Sequence, residues 1–440
     1  MTTAAAMRVD LLIVGAGPAG LSAAEVALAH GRTVALVDQQ PAAGGQLWRQ
    51  GADAAWPTSR RARFDPVLKH AQLRYLPGHR LAMWLSPTLA LLQGAEGAIT
   101  VSADRVLLAA GAREFIPPFP GWTLPGVTGA GALQAMAKTG VDLAGERVSL
   151  VGSGPLLLAS AATLNQSGAR LTGIFEAQPR AQLRALALSL LRYPTRLVEA
   201  ALLRRRCAHT RYECGWRLLA AVGDERVEAA LLLDPRGKTQ RVACSRLGVS
   251  YALVPNIECA AGLNLSLRED GLFACLRVDA EQRSSNPKIY AAGEITGIGG
   301  GALAELEGQI AALSMVGAAT QLAQHQNRHR RAKRFADLLA DTFGIQTESL
   351  PKPVPQTLLC RCEDVSWSAV VDAESSDWRS LKLGSRIGMG ACQGRTCGAV
   401  LRAYGYPSPV NSRPPIMPVS AATLASLDHV SISKPQGSTQ

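Results

Sequence analysis

Two glycine-rich turns, each set between an apolar strand and a helix, constrain this chain more tightly than any other feature. In the first, residues 8–14 read as a buried strand that runs into Gly15-Ala16-Gly17-Pro18-Ala19-Gly20. Gly15 admits the tight turn, Gly17 lets a pyrophosphate approach the backbone, and Gly20 lets the following helix close on the strand. The helical N–H groups are left aimed at phosphate. Residues 21–30 continue the helix and Gly31 stops it, as a C-terminal cap should. A second strand at 33–37 ends at Asp38, where a carboxylate can accept hydrogen bonds from an adenosine ribose. Strand, loop, helix, strand and acid agree on a dinucleotide-binding fold.

The plan returns less completely further on. Residues 147–151 form a strand, Gly152-Ser153-Gly154-Pro155-Leu156-Leu157 the turn, and a helix follows to about residue 167. Leu157 stands where the third glycine would, so the close helix–strand approach is compromised, while the glycines serving turn and phosphate remain. A strand at 171–175 ends at Glu176, again placed to meet a ribose. NAD or another adenine nucleotide is one reading of this middle segment; a duplicated fold kept as scaffold is the other. Residues 226–243 carry Asp234-Pro235-Arg236-Gly237 between two apolar runs, a hairpin signature.

Of nine cysteines only the last four carry a pattern. Cys207, Cys214, Cys244, Cys259 and Cys275 are scattered and read as buried thiols of a reducing compartment. Cys360-Arg361-Cys362 and Cys392-Gln393-Gly394-Arg395-Thr396-Cys397 form a C-x-C and a C-x4-C that bracket a short helical hairpin. Such spacing can converge four thiolates on one inorganic centre. Iron–sulfur, a structural zinc, which favours C-x2-C knuckles, and free thiols are the readings open to these residues. A helix over 398–404 would turn its N-terminal amides toward a negatively charged cluster, and Arg361 and Arg395 sit within the ligand loops, where they could raise its potential.

At 440 residues, 47% of them hydrophobic and 18% charged, the composition is globular, and the length suits about three domains. No apolar run reaches the roughly twenty residues of a membrane-spanning helix, and residues 9–14 lack the flanks of a secretory signal. The expected location is the cytoplasm, with peripheral association at the inner face of the cell membrane left open. The net charge of +12 gathers partly at Arg204–Arg206 and at Arg328, Arg330, Arg331, Lys333 and Arg334. Neither cluster is interleaved with aromatics, which disfavours nucleic acid; solvated faces or a patch that docks an acidic partner remain. No Ser–His–Asp or histidine-rich metal pattern stands out, and no catalytic base can be singled out.

Family resemblance enters with Gly44-Gly45-Gln46. The chain resembles flavoproteins built from two dinucleotide-binding domains, in which this loop lies along the FAD pyrophosphate and ribityl chain. Residues 106–114, with Gly111 in their turn, resemble the segment closing the FAD domain, and residues 289–294 resemble the late strand whose acid meets the flavin's ribityl and phosphate region. Here that acid is Glu294, after Gly293, where Asp is usual. Residues 296–301 and a long helix at 302–324 would complete the flavin side of the site. Disulfide reductases of this fold carry a redox cysteine pair near the flavin, yet no C-x-x-C or C-x4-C precedes residue 360, which excludes a thiol relay.

The C-terminal cysteines resemble the [2Fe–2S] domain related to bacterioferritin-associated ferredoxin, with a C-x4-C like that of the version fused into bacterial amine-oxidising complexes. Over almost its whole length the chain resembles the α subunits of the opine oxidase, D-hydroxyproline dehydrogenase and hydrogen cyanide synthase group. Residues 120–127, 152–158 and 392–397 carry that likeness most specifically. The expectation is an α/β protein with two Rossmann-like domains, the second (120–254) inserted in a discontinuous FAD domain (7–119 and 255–330). A linker (331–355), a small, mainly helical [2Fe–2S] domain (356–410) and a tail (411–440) would follow.

The resemblance implies an electron-transfer subunit of an amine or amino-acid dehydrogenase. Its partners would be a D-amino-acid-oxidase-like β subunit with its own FAD and a respiratory or carrier acceptor, with FMN at the subunit boundary as a further candidate. A self-contained NADH-dependent reductase and a non-catalytic iron–sulfur module are the alternatives.

Overall fold

The computed structural model describes residues 5–49, 58–345, 347–373, 375–409 and 414–429. The expected tail therefore lies partly outside the described residues. Strand Ala5–Val14 runs through the middle of a sheet, paired in parallel with Val34–Asp38 on one side and Gly97–Leu108 on the other. Leu73–Pro77 extends the sheet beyond Val34–Asp38.

Gly97–Leu108 is long enough to serve two partners: its first half joins the antiparallel meander of Leu89–Gly94 and Arg80–Ser86, and its end pairs in parallel with Ile289–Ala291. That last strand arrives nearly two hundred residues later, so the first fold is closed by chain from beyond the middle domain. The central strands read as continuous apolar runs because both faces are covered. Leu11 and Ile13 pack among the helices, while Leu12 and Val14 face the opposite layer with Trp84 and Leu276, the period-2 alternation of a strand. Helices Pro18–Ala29 and Gly301–Val316 cross closely because Gly308 lies against the Ala19 carbonyl, where a Cβ has no room.

An antiparallel ribbon of Ala112–Phe115 and Ala252–Pro255 carries the chain out of the first fold and back. Beyond it, a parallel sheet orders its strands Tyr212–Cys214, Arg170–Glu176, Arg147–Gly152, Arg246–Ser250 and Val127–Gly129. A three-stranded antiparallel sheet flanks it, and its strands Ala229–Leu233 and Thr239–Ala243 form the expected hairpin. Asp234 fixes the turn by accepting the N–H groups of Arg236 and Lys238, each at 2.9 Å.

The structure departs from expectation after residue 300. In place of one helix over 302–324 there are two, Gly301–Val316 and Ala319–Phe343. Gly317 adopts φ +78°, the left-handed conformation that ends the first. The second helix runs on through the first part of the stretch read as a linker. Ile345 and Leu350, further along it, are buried in a core shared with Val151, Phe175 and Tyr251 of the middle domain and Cys360 and Cys397.

The cysteine-bearing segment contains strands Leu358–Cys360 and Val365–Ser366 and helices Trp367–Val371, Trp378–Ser385 and Arg395–Ala403. The last begins three residues before the expected 398, so Cys397 lies inside its first turn. Among the described residues, no helix is long and apolar enough to cross a membrane.

Candidate functional site

The first glycine loop is fastened by a carboxylate. Asp38 accepts the N–H groups of Ala16 and Gln40, each at 2.7 Å; burial pushes its carboxyl above the ordinary value and these two bonds pull it back. Each oxygen keeps acceptor capacity for a ribose hydroxyl. Gly15, at φ +113°, backs onto the Ala109 carbonyl so tightly that a Cβ would collide with it. Gly20 is equally confined, against the Gly15 carbonyl.

Gly17 and Pro18, by contrast, are partly open, with Ala19 buried behind them. Gly44 donates its N–H to the Ala16 carbonyl at 2.8 Å, which lays Gly45 across Gly17 with no side chain between them and leaves Gln46 on the exposed rim. On the other side Gly293 rests on Ala19 and Ala304. Glu294 opens a short 3-10 turn, Glu294–Thr296. Burial, and then the charge of Glu307, pushes its carboxyl up to about 7, and no hydrogen bond holds it among the described residues.

Glu307 was not singled out from sequence. One of its oxygens accepts the Gly293 N–H at 2.8 Å and the Thr296 hydroxyl at 3.3 Å, and the other faces His329 Nε2 at 3.2 Å. It therefore sets the turn that carries Glu294. The available signal was a carboxylate on a helix face otherwise made of Leu303, Ala304 and Ile310, all buried.

Gly111 adopts φ +66° just beyond the Ala109 carbonyl that backs Gly15. Two residues on, Arg113 binds Glu258 at 2.7 Å and Asn256 at 2.9 Å, and donates to the Arg395 carbonyl at 2.9 Å. Gly15, Gly17, Pro18, Ala19, Gly20, Asp38, Gly45, Gly293 and Glu294 thus gather in one cradle. The turn after Gly111 leads from it to the cysteine loops.

The four C-terminal thiols meet in a chain: Cys360 faces Cys397, Cys397 faces Cys392, and Cys392 faces Cys362. Contact with the Cys397 thiol, the largest influence on each, pulls Cys360 down to about 6 and Cys392 to about 4. Backbone N–H groups add to this, from Gly388, Cys362 and Glu363 for the first and from Thr396 and Gly394 for the second. Cys397 itself is pushed up by the same two contacts and by burial.

Cys360 and Cys397 are buried, whereas Cys362 is exposed. Among the described residues no group of three or more His, Cys, Asp or Glu side chains is gathered in a way that could hold a metal ion. Trp122 supports the strand bearing Cys360: its Nε1 donates to the Leu358 carbonyl at 2.7 Å, and Arg361 lies over its ring at 5.2 Å.

The second glycine loop differs from the first. Glu176, expected to meet a ribose, is fully buried and accepts the N–H groups of Gly154 and Gln178, each at 3.0 Å. Being one carbon longer than Asp38, it reaches one residue further round its loop. Gly152, Ser153 and Gly154 are all buried, and the chain that covers them comes from residues 341–345. Ser153 Oγ donates to the Phe343 carbonyl at 3.3 Å, and Gln178 Nε2 to the Gly344 carbonyl at 3.3 Å. Glu176, read from the sequence as a ribose contact, thus lies wholly buried with its carboxylate on two backbone amides of its loop and strand end. Gly152 and Gly154 keep the turn geometry, but under a cover.

Residues 9–326 match the family described as pyridine nucleotide-disulphide oxidoreductase. The chain is 32% identical to the HcnB subunit of hydrogen cyanide synthase from Pseudomonas protegens, over 89% of this chain and 90% of that one. It is also 32% identical to the first of the lettered subunits of opine oxidase from Rhizobium meliloti, over 96% and 88%. Among solved structures, the L-proline dehydrogenase from P. horikoshii superposes with a TM-score of 0.70 at 20% identity, over 96% of this chain and 81% of that one, a likeness of fold.

Proposed function

Because the chain belongs to the pyridine nucleotide-disulphide oxidoreductase family and is an oxidoreductase, we propose that it is the electron-carrying subunit of a heteromeric amine or amino-acid dehydrogenase. FAD lies in the first cradle, and a [2Fe–2S] cluster on Cys360, Cys362, Cys392 and Cys397. Arg113 carries this reading: one guanidinium ties the turn that closes the cradle to the Arg395 carbonyl between the cysteines, so the two sites are physically continuous. Both relatives are named as single subunits of larger enzymes, which supports a partner protein.

The chain's own residues divide the work. The open loop amides after Gly15 take the pyrophosphate while Asp38 holds the loop still. Glu294, with no hydrogen-bond partner among the described residues, is free to accept a ribityl hydroxyl, and Glu307 with His329 keeps its turn in place. The amides around Cys360 and Cys392 would compensate the thiolate charge of a bound cluster. When bound, FAD accepts an electron pair that an iron–sulfur centre can pass on singly.

The donor is a β subunit of the D-amino-acid-oxidase type acting on an opine, D-hydroxyproline or related C–N bond, and FMN at the boundary is a further candidate. The acceptor is a respiratory or carrier protein. A self-contained NADH reductase is disfavoured by the covered second loop.

The test is the anaerobically purified chain. A flavin spectrum, with about two irons and two sulfides per chain and a reduced-state paramagnetic signal, is expected. Colourless, zinc-only protein would sink the proposal, as would rapid bleaching of the flavin by NADH without any partner.

A further inference from the structure

A helix C-terminus leaves its last carbonyls without helical N–H partners and carries roughly half a negative charge. A helix N-terminus after a glycine loop offers the opposite, which is why such loops bind phosphate. In this chain the two are docked against each other. Helix Ala319–Phe343 crosses the middle domain, where Phe335 meets the Tyr193 ring at 5.2 Å, and ends on the second glycine loop at the start of helix Pro155–Gln166.

Among the described residues Ala340 is the one terminal carbonyl met by a backbone donor, the Gly344 N–H at 2.8 Å. The next four all bind middle-domain side chains. Gln182 Nε2 donates to the Thr342 carbonyl at 2.8 Å and the Asp341 carbonyl at 3.3 Å, Ser153 to that of Phe343, and Gln178 to that of Gly344. Ile345 then enters the core beside Phe175 and Tyr251.

We propose that the second glycine loop is an anion site whose ligand is the chain itself: the carbonyl end of helix Ala319–Phe343 stands in for a dinucleotide's pyrophosphate and ribose. Three observations support it independently of the flavin reading. The occupied carbonyls span from the loop (Ser153) to the end of the second strand (Gln178), the two places where a dinucleotide would be held. Phe343 Cβ sits 4.0 Å from where a Cβ of Gly154 would be, leaving no channel for a phosphate between them. The first loop, built on the same plan, keeps Gly15 and Gly17 partly open. On this reading the loop is kept because Ser153 and Gln178 seat the chain's own helix end. No pyridine nucleotide delivers hydride through this site while that end is seated.

The test reads nucleotide binding rather than flavin chemistry, so its failure leaves the proposed function standing or falling on its own experiment. NADH, NADPH and ADP-ribose are titrated calorimetrically into the full holo-chain at up to about 1 mM, the upper end of ordinary affinities. Wild type is expected to show no saturable heat. Gln178→Ala/Gln182→Ala, which frees three carbonyls, is expected to gain saturable binding at least about tenfold tighter than that limit. Amide exchange at residues 341–345 should rise together with it.

Ser153→Ala, a milder change, is expected to move both readouts in the same direction and guards against misfolding of the double variant. Saturable binding by wild type would overturn the proposal. So would variants whose 341–345 amides exchange freely while no nucleotide binds.

Discussion

Glu294 has the most direct consequence at the scale of single residues. An ordinary glutamate ionises near 4.5, and here burial and the Glu307 charge raise that to about 7. The fold thus favours the protonated form, so the stabilising contribution is whole below the ordinary value and is lost as pH rises through about 7. Glu294→Gln, which cannot ionise, should raise the thermal midpoint of the cofactor-free protein at high pH and flatten its decline between about pH 5 and 8. Calorimetry across that range checks it, and an unchanged slope would mean that the carboxyl is not held protonated. Gly390 makes the second case: a Cβ there would run into Cys362 Cβ. Gly390→Ala should therefore displace one thiol and lower the iron and sulfide content of purified protein, with little change in flavin content.

Elements transmit these local demands. The strand Leu358–Cys360 is held by Trp122, which donates to the Leu358 carbonyl across 236 positions of sequence. Trp122→Phe keeps most of the apolar contact but orphans that carbonyl, at a cost of about 1–3 kcal/mol. The expected outcome is a lower midpoint and faster loss of iron to a chelator. The break between Gly301–Val316 and Ala319–Phe343 depends on the left-handed Gly317, around which no atom lies within 4 Å of an added Cβ. Gly317→Ala should cost about 1 kcal/mol from backbone conformation alone, read as a shift in denaturation midpoint without loss of either cofactor.

For the whole molecule, the question is how the cradle and the cysteine-bearing segment stay in register. Arg113 and Glu258, whose side chains are 27% and 16% exposed, form the tie, with Arg395 Nη2 continuing it to the Ile416 carbonyl at 2.6 Å. Removing one partner of a half-buried pair leaves the other uncompensated. Arg113→Ala is expected to split a single calorimetric transition into two, the cysteine segment melting first. One cooperative transition at unchanged temperature would show that the shared core around Ile345 and Leu350 holds the parts together without it.

Both glycine loops, their strands and the paired cysteines were legible in the sequence, because tight turns and buried strands are local demands that spacing records. The 226–243 hairpin was legible for the same reason. Glu307 was not, since its partners lie in other segments. The greatest difference came from contacts at long range. The two glycine loops share a plan, yet one is open and the other is covered by Phe343, 190 residues from Ser153. Residue spacing determined that this chain would build two phosphate-type turns and bring four thiols close. Which turn stays uncovered was decided only by the tertiary structure, where a helix end whose carbonyls lack helical partners meets Ser153, Gln178 and Gln182.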